Sequence, residues 1–410
     1  MPVSVSERGL QVPASPIRKL MPLAEAARRR GVKVYHLNIG QPDLETPAVM
    51  RAKLALAPSV FAYSPSAGTS ECLAALSGYY RQLGIPVGAD ELVVTAGGSE
   101  ALLFTMLACA GEGDEALVVE PFYTNYQAFA TMAGVRLRAL RARGEDGFRL
   151  PPAEDWRRAL TPRTRLVLLC NPGNPTGTVY RRDELERAAA FCREHGLFLV
   201  VDEVYREFVY DGLAATSVLT LSGCDEFAIV VDSLSKRYSA CGIRLGCLAT
   251  RNREVLGAAL RMAQARLSPP GLAQLVALGL SELPADYAQG VVREYQARRD
   301  VLYAGLSRLP GVFLRKPEGA FYFIARLPVE DSEDFAAWLL GDFSYEGATV
   351  MVAPAAGFYA TPGLGKDEVR IAYVLCAADL EAAVRILDHA LPQYQAARAA
   401  RLAAGAPAKS

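Results

Sequence analysis

Six short runs, almost wholly apolar and rich in strand-forming residues, recur through the first 250 residues. They are ELVVT (91–95), ALVVE (116–120), RLVLLC (165–170), LFLVV (197–201), FAIVV (227–231) and LGCLAT (245–250). A strand wetted on one face alternates apolar and polar residues. A strand that is apolar on both sides belongs to a sheet covered on both faces, as in α/β proteins with mostly parallel strands. Amphipathic stretches separate the runs and supply the covering helices. The pattern predicts a large α/β domain over residues 49–285.

After SPPGLAQ the character changes. Residues 285–308 read as one long amphipathic helix. Strand-like segments follow (GVFLRK, AFYFIARL, VRIAYV), with one helix between them and another at the end. This α+β pattern predicts a smaller domain over 286–395. Residues 1–48 form an N-terminal arm that joins the smaller domain in part, through the helix PIRKLMPLAEAARRR. Residues 396–410, AARAARLAAGAPAKS, are expected to be a disordered tail. A cleft between two domains is the default place for a ligand.

Composition narrows the function classes. Formal net charge is zero and the charges are interleaved, so no nucleic-acid surface is expected. No apolar stretch has the length of a membrane span, and MPVSVSERGL lacks a signal-peptide layout, so a cytoplasmic protein with no membrane partner is expected. Eight cysteines stand singly, as small buried thiols in a reducing compartment would. The three histidines, His36, His195 and His389, are far apart, and no metal is expected.

Four loops follow strands of the large domain, where open α/β sheets bind their ligands. TAGGSEALLF (95–104) places two glycines and a serine at a helix start, which suits a phosphate and equally a plain helix cap. NPGNPTG (171–177) is heavily constrained and offers an asparagine amide. VVDEVYREF (200–208) sets Asp202 and Glu203 at the end of an apolar strand. A carboxylate there needs a cation or a donor, which a neighbouring arginine would also satisfy. DSLSKRYSACGIRLG (232–246) holds Lys236, one of only seven lysines against thirty-seven arginines, with Ser233, Ser235 and Arg244 nearby. A lysine at a buried strand end is costly unless paired, deprotonated or covalently used; an ordinary surface turn is the alternative. Together the loops offer a phosphate cup, an amide, an acid and an amine. Pyridoxal 5'-phosphate needs that set.

The order GGSEAL, PFYTNY, NPGNPTG, DEVY, SLSKRYSACGIRLG and VRIAYV resembles the class I/II aminotransferases of PLP fold type I, the aspartate aminotransferase superfamily. The likeness runs from LNIGQPDLETP to the last helix. It implies a mostly parallel seven-stranded sheet between helices in the large domain. It also implies that Lys236 forms the Schiff base and shuttles the Cα proton, while Asp202 holds the pyridine nitrogen protonated. By the same likeness Tyr205 and Asn174 bond the phenolic oxygen and Tyr123 stacks on the ring. Backbone N–H groups of Gly98 and Ser99, the hydroxyls of Ser233 and Ser235, and Arg244 take the phosphate. Tyr63 matches a tyrosine that reaches the neighbouring subunit's phosphate, implying a homodimer with shared active sites. Arg370 matches the fork for the substrate α-carboxylate, assisted by Asn174 and the backbone of Gly40.

The implied reaction is ping-pong transfer of an amino group from an L-amino acid to a 2-oxo acid, usually 2-oxoglutarate. Aspartate or broad specificity is expected, although Ser99 stands where some aspartate-preferring members have a lysine. Arg18, Arg237 and the segment 353–359 are the substitutes for that lysine. The alternatives are a C–S lyase or aminocyclopropane-carboxylate-synthase-like enzyme with the same site. A non-catalytic regulator is a further one, although the chain has no room for a DNA-binding domain.

Overall fold

The computed structural model describes residues 3–403. The N-terminal segment supplies one strand, β1 (Lys33–His36). Then come β2 (Leu92–Thr95), β3 (Glu115–Glu120), β4 (Arg136–Arg141), β5 (Thr164–Cys170), β6 (Phe198–Asp202), β7 (Ala228–Ser233) and β8 (Gly246–Thr250). The C-terminal third adds β9 (Phe313–Leu314), β10 (Tyr322–Arg326), β11 (Ala348–Met351), β12 (Ala353–Pro354) and β13 (Glu368–Ala372).

Strands β2 to β8 form one seven-stranded sheet in the order β2-β8-β7-β6-β5-β3-β4. All neighbours run parallel except β8, which is antiparallel to both β2 and β7. The six apolar runs are strands of this sheet, and their period of two divides the core. Leu117, Val119, Val167, Leu169, Leu199, Val201 and Val230 pack into one buried cluster. Ala116, Val118, Leu166, Leu168, Val200, Ile229 and Val231 pack into another on the opposite face. Two-sided burial is what wholly apolar strands require.

The remaining strand, β4, reads RLRALR and escapes a search for apolar runs. It lies at the sheet edge beside β3 alone, where one side of the ladder has no neighbour and charged side chains are admissible.

The C-terminal third builds a four-stranded antiparallel sheet, β12-β13-β10-β9, and the parallel pair β1–β11. Helices Tyr287–Leu306 and Ala377–Ala403 accompany it. Its buried cluster takes in Leu20, Ala24 and Leu37 from the N-terminal segment. The helix expected over PIRKLMPLAEAARRR is confined to Met21–Arg29, with Pro22 in its first turn, where proline is tolerated.

The expected tail 396–410 is corrected in its first half. The final helix continues through Ala403, and Arg398 pairs with Glu330, while 404–410 lie outside the described residues. Alanine and arginine are strong helix formers, so a docked helix readily extends through them. All eight cysteines are free thiols; five are buried, Cys170 and Cys241 are half-buried, and Cys376 is exposed. Among the described residues no helix is long and apolar enough to cross a membrane.

Candidate active site

The C-terminal ends of the parallel strands open onto a cavity of about 690 Å³, a size suited to a cofactor with a small substrate. Its walls include every residue that the family likeness assigns to the site except Tyr63, which is 79% exposed and lies elsewhere.

One end of the cavity is an anion cradle. The chain leaves β2 through Gly97, at φ +79°, and enters the helix Gly98–Cys109. The backbone angle favours glycine, and a Cβ on Gly97, 2.4 Å from Nη2 of Arg244, would push that guanidinium out of its place. Arg244 donates to the carbonyls of Cys241 (2.9 Å) and Ala96 (3.3 Å) and has no carboxylate partner among the described residues. The hydroxyls of Ser233 and Ser235 lie 2.8 Å apart. Free helix-start N–H groups, two hydroxyls and an unpaired guanidinium converge where Gly98 and Ser99 line the wall.

At another wall Asp202 ends β6, almost completely buried. It accepts from the Tyr126 hydroxyl (2.9 Å) and the Val204 N–H (3.3 Å), and no cation pairs with it among the described residues. Burial pushes its carboxyl up to about 6; the Tyr126 and Val204 bonds oppose that shift, and Asp232 and Glu203 reinforce it. The salt bridge to a neighbouring arginine belongs to Glu203, which holds Arg206. Asp202 is left facing the cavity with an unmet charge.

Lys236 is half-buried and donates from Nζ to the Gly40 carbonyl at 2.8 Å, so it is not a surface lysine on a turn. Tyr205 reaches the hydroxyl of Tyr322 at 3.0 Å. Tyr123 accepts at its hydroxyl from the Asn125 amide (2.9 Å) and meets Tyr126 edge-on.

Arg370, in β13, is 2% exposed, and burial lowers its pKa. It donates to Asn174 Oδ1 (3.3 Å) and to the Asn38 carbonyl, and its Nε has no partner. Its guanidinium lies over the rings of Tyr322 and Phe358, at 4.6 and 5.1 Å. No carboxylate pairs with it among the described residues.

Sequence reasoning missed Tyr322, Asn125 and Cys241, which also line the cavity. Tyr322 carried one usable signal. It stands two residues after the small Ala320 in GAFYFIAR, but Phe321 and Phe323 beside it read equally well as core. Gly40 shows how close Tyr322 comes, because a Cβ there would lie 1.7 Å from its hydroxyl oxygen.

The profile of Aminotransferase class I and II matches residues 32–387. The chain belongs to that family. It is an aminotransferase that works with pyridoxal phosphate. Among curated relatives, the aspartate/prephenate aminotransferase of Thermus thermophilus is 32% identical, over 87% of this chain and 91% of that protein. The probable aspartate/prephenate aminotransferase of Aquifex aeolicus is 30% identical, over 92% and 96%. Among solved structures, a single mutant of Thermus thermophilus aspartate aminotransferase superposes with a TM-score of 0.86 at 30% identity, covering 95% of this chain and all of that one. An alanine aminotransferase from Pyrococcus furiosus gives 0.86 at 29%, with the same coverage.

The residues present suit the family's cofactor. The cradle of N–H groups, hydroxyls and an unpaired arginine matches the charge of a phosphate. Asp202, buried without a cation, matches a protonated ring nitrogen. A phosphate and a pyridinium both find unmet partners in one aminotransferase cavity.

Proposed function

We propose that this aminotransferase acts on amino acids and 2-oxo acids through the cavity residues, with a dicarboxylic amino acid, aspartate or glutamate, among its donors. The observation that carries the reading is a pair of buried charges, Asp202 and Arg370, that face one cavity with no counter-charge among the described residues, and Lys236 in the same wall. Isolated buried charges are expensive, so each implies a bound counter-charge.

When bound, pyridoxal phosphate supplies an electrophilic aldehyde carbon and a cationic ring that accepts electrons. Lys236 is the point of attachment for that carbon. With the cofactor bound, the Lys236 Nζ would also be the group that takes the proton from the substrate Cα and returns it. Asp202 keeps a proton on the ring nitrogen by pairing with it. Tyr205 and Asn174 would bond its phenolic oxygen, Tyr123 would pack against its ring, and Gly98, Ser99, Ser233, Ser235 and Arg244 would hold its phosphate. Arg370 takes the substrate α-carboxylate as a bidentate fork, with Asn174 and the Gly40 backbone beside it.

Arg370→Ala is expected to raise KM on the order of 100-fold for every amino acid and 2-oxo acid, since charge-assisted bonds of about 1.5–3 kcal/mol are lost. An effect confined to one substrate would contradict that role. For the side-chain carboxylate, Arg237 is excluded because it is 3% exposed and bound to Asp232 and Glu207. Arg18 lines the cavity beside Tyr123 and has no carboxylate partner among the described residues. Arg18→Ala is expected to lower kcat/KM for aspartate and glutamate about tenfold or more while leaving alanine within about twofold. Equal losses on all three would remove Arg18 as a reader of the second carboxylate.

Exposed Leu54, Leu56, Val60, Phe61, Tyr63, Leu267 and Leu272 support a homodimer. The segments that carry them are joined by a bond from Ser66 Oγ to the Leu267 carbonyl (2.6 Å), and such apolar surface suits a second subunit. Tyr63 then serves the partner's phosphate. Free thiols suit a reducing cytoplasm. The deciding experiment is single-turnover exposure of the bound cofactor to each of twenty amino acids, read by absorbance. Conversion by aspartate or glutamate ahead of the rest supports the reading, and release of pyruvate from cysteine conjugates without conversion favours a C–S lyase.

A further inference from the structure

Beneath the Lys236 loop lies a group of ionised side chains that lines no part of the cavity. Asp232, Arg206, Arg237 and Glu203 are each no more than 6% exposed, and Glu207 adjoins them. Asp232 is the hub. Its Oδ2 accepts from the Tyr80 hydroxyl (2.9 Å), Arg206 Nη1 (3.1 Å) and Arg237 Nη1 (3.2 Å). Its Oδ1 accepts from the Ser233 N–H (2.7 Å) and from Arg237 Nη2. Arg206 continues to Glu203 (2.8 Å) and the Tyr79 hydroxyl (2.9 Å), and Arg237 to Glu207 (3.0 Å). Burial alone would raise the Asp232 pKa, but the two guanidiniums outweigh it and hold the carboxyl below its ordinary value.

The bonds fall at informative places. Asp232 and Arg237 close residues 232–237 into a loop, and Ser233, Ser235 and Lys236 all sit on it. Asp232 and Arg206 join that loop to the segment that carries Asp202 and Tyr205. The β6–β7 ladder ends where Asp202 pairs with Val231, followed by one bond from the Glu203 N–H to the Val231 carbonyl. Past that point the backbones part, and the ionic cluster takes over the ladder's work. Stability alone gives no reason for charge here, since apolar side chains of similar volume hold a core as well or better. Directional, multiply bonded ions fix a relative position, which apolar contact does less well.

We propose that Asp232 is a positioning residue for amino transfer. It holds the Lys236 loop and the Asp202–Tyr205 segment at one separation, so that amine and acid meet the same cofactor together. The proposal rests on the assignment of Lys236 and Asp202 given above.

The test uses the holoenzyme. Asp232→Asn keeps the shape of the hub and removes its charge. It is expected to lower kcat on the order of 10- to 100-fold, the cost of misplacing reacting groups, with KM for both substrates within about threefold. The visible circular dichroism per bound cofactor, which reports how the ring is held, is expected to fall by about half or more, whereas a merely structural role would lower the melting temperature and leave that band unchanged. Tyr80→Phe, which removes one bond to Asp232, is expected to move both readouts the same way, about two- to fivefold in kcat.

Asp232→Asn with wild-type kcat and dichroism would overturn the proposal; if that variant does not fold, the same result in Tyr80→Phe overturns it. Borohydride reduction followed by peptide mass mapping separates the two levels. Cofactor fixed on Lys236 with unaltered variants overturns the proposal alone. Cofactor fixed elsewhere overturns the assignment and the proposal with it.

Discussion

Replacing Lys236 with alanine is expected to reduce turnover by about four orders of magnitude or more, because attachment and proton transfer are lost together. The fold is expected to survive. Lys236 makes one backbone hydrogen bond, to Gly40, and sits in a cavity wall rather than in the core. The cradle at Gly98, Ser99, Ser233 and Arg244 and the acid at Asp202 are untouched, so the variant still takes up cofactor noncovalently. Steady-state assays with aspartate and 2-oxoglutarate measure the first effect. Denaturing gel filtration, which retains only covalently fixed cofactor after borohydride reduction, measures the second. Normal turnover in Lys236→Ala would mean that another amine does the work.

Asp202→Asn is expected to separate stability from activity. In the protein without cofactor, burial holds this carboxyl at about 6, against an ordinary value of 3.8. The folded state therefore binds a proton more tightly than the unfolded chain. Its stabilising effect is fully present below 3.8 and is lost as the pH rises through about 6. Above that, the buried charge costs about 3 kcal/mol, because each tenfold change in proton affinity is worth about 1.4 kcal/mol. The neutral amide removes the cost. Without cofactor the variant is expected to melt a few degrees above the native protein at about pH 8, with the gap narrowing toward about pH 4. Activity moves the other way, down on the order of 1000-fold, since an amide cannot keep the ring nitrogen protonated. A variant less stable than the native apoprotein at that alkaline pH would show that Asp202 is not the strained group described.

How far the sequence revealed all this depended on whether one physical cause acted alone. The strands of the large sheet announced themselves because burial on both faces leaves only apolar choices. Arg136–Arg141 did not, because an edge strand tolerates arginine and so resembles a loop. The glycines, Lys236 and Asp202 each allowed a plain structural reading, and it was their combination on one sheet edge, in the order of a known family, that made the candidate site legible. Tyr322 was hidden, since an aromatic side chain in a buried strand has a cheap explanation. Arg237 misled for the opposite reason. Its charge suggested a substrate contact, and only the placement of Asp232 and Glu207 shows it already engaged. Tyr63 lies apart from the cavity in the single chain, so its proposed role depends on a second subunit.

The one reversed strand of the large sheet governs how much freedom the reactive loop has. A parallel neighbour for β7 would have sent the chain across the sheet through a helix before it returned. Because β8 runs back at once, pairing Ser233 with Gly246, a single short connection delivers both Lys236 and Arg244. Lys236 and Arg244 are thus two points on one measured length of chain. An inserted or deleted residue between them would change the interval between the two groups. On the roles proposed for Lys236 and Arg244, that interval serves a fixed distance, from a pyridine aldehyde to its own phosphate, which no substitution in the protein alters.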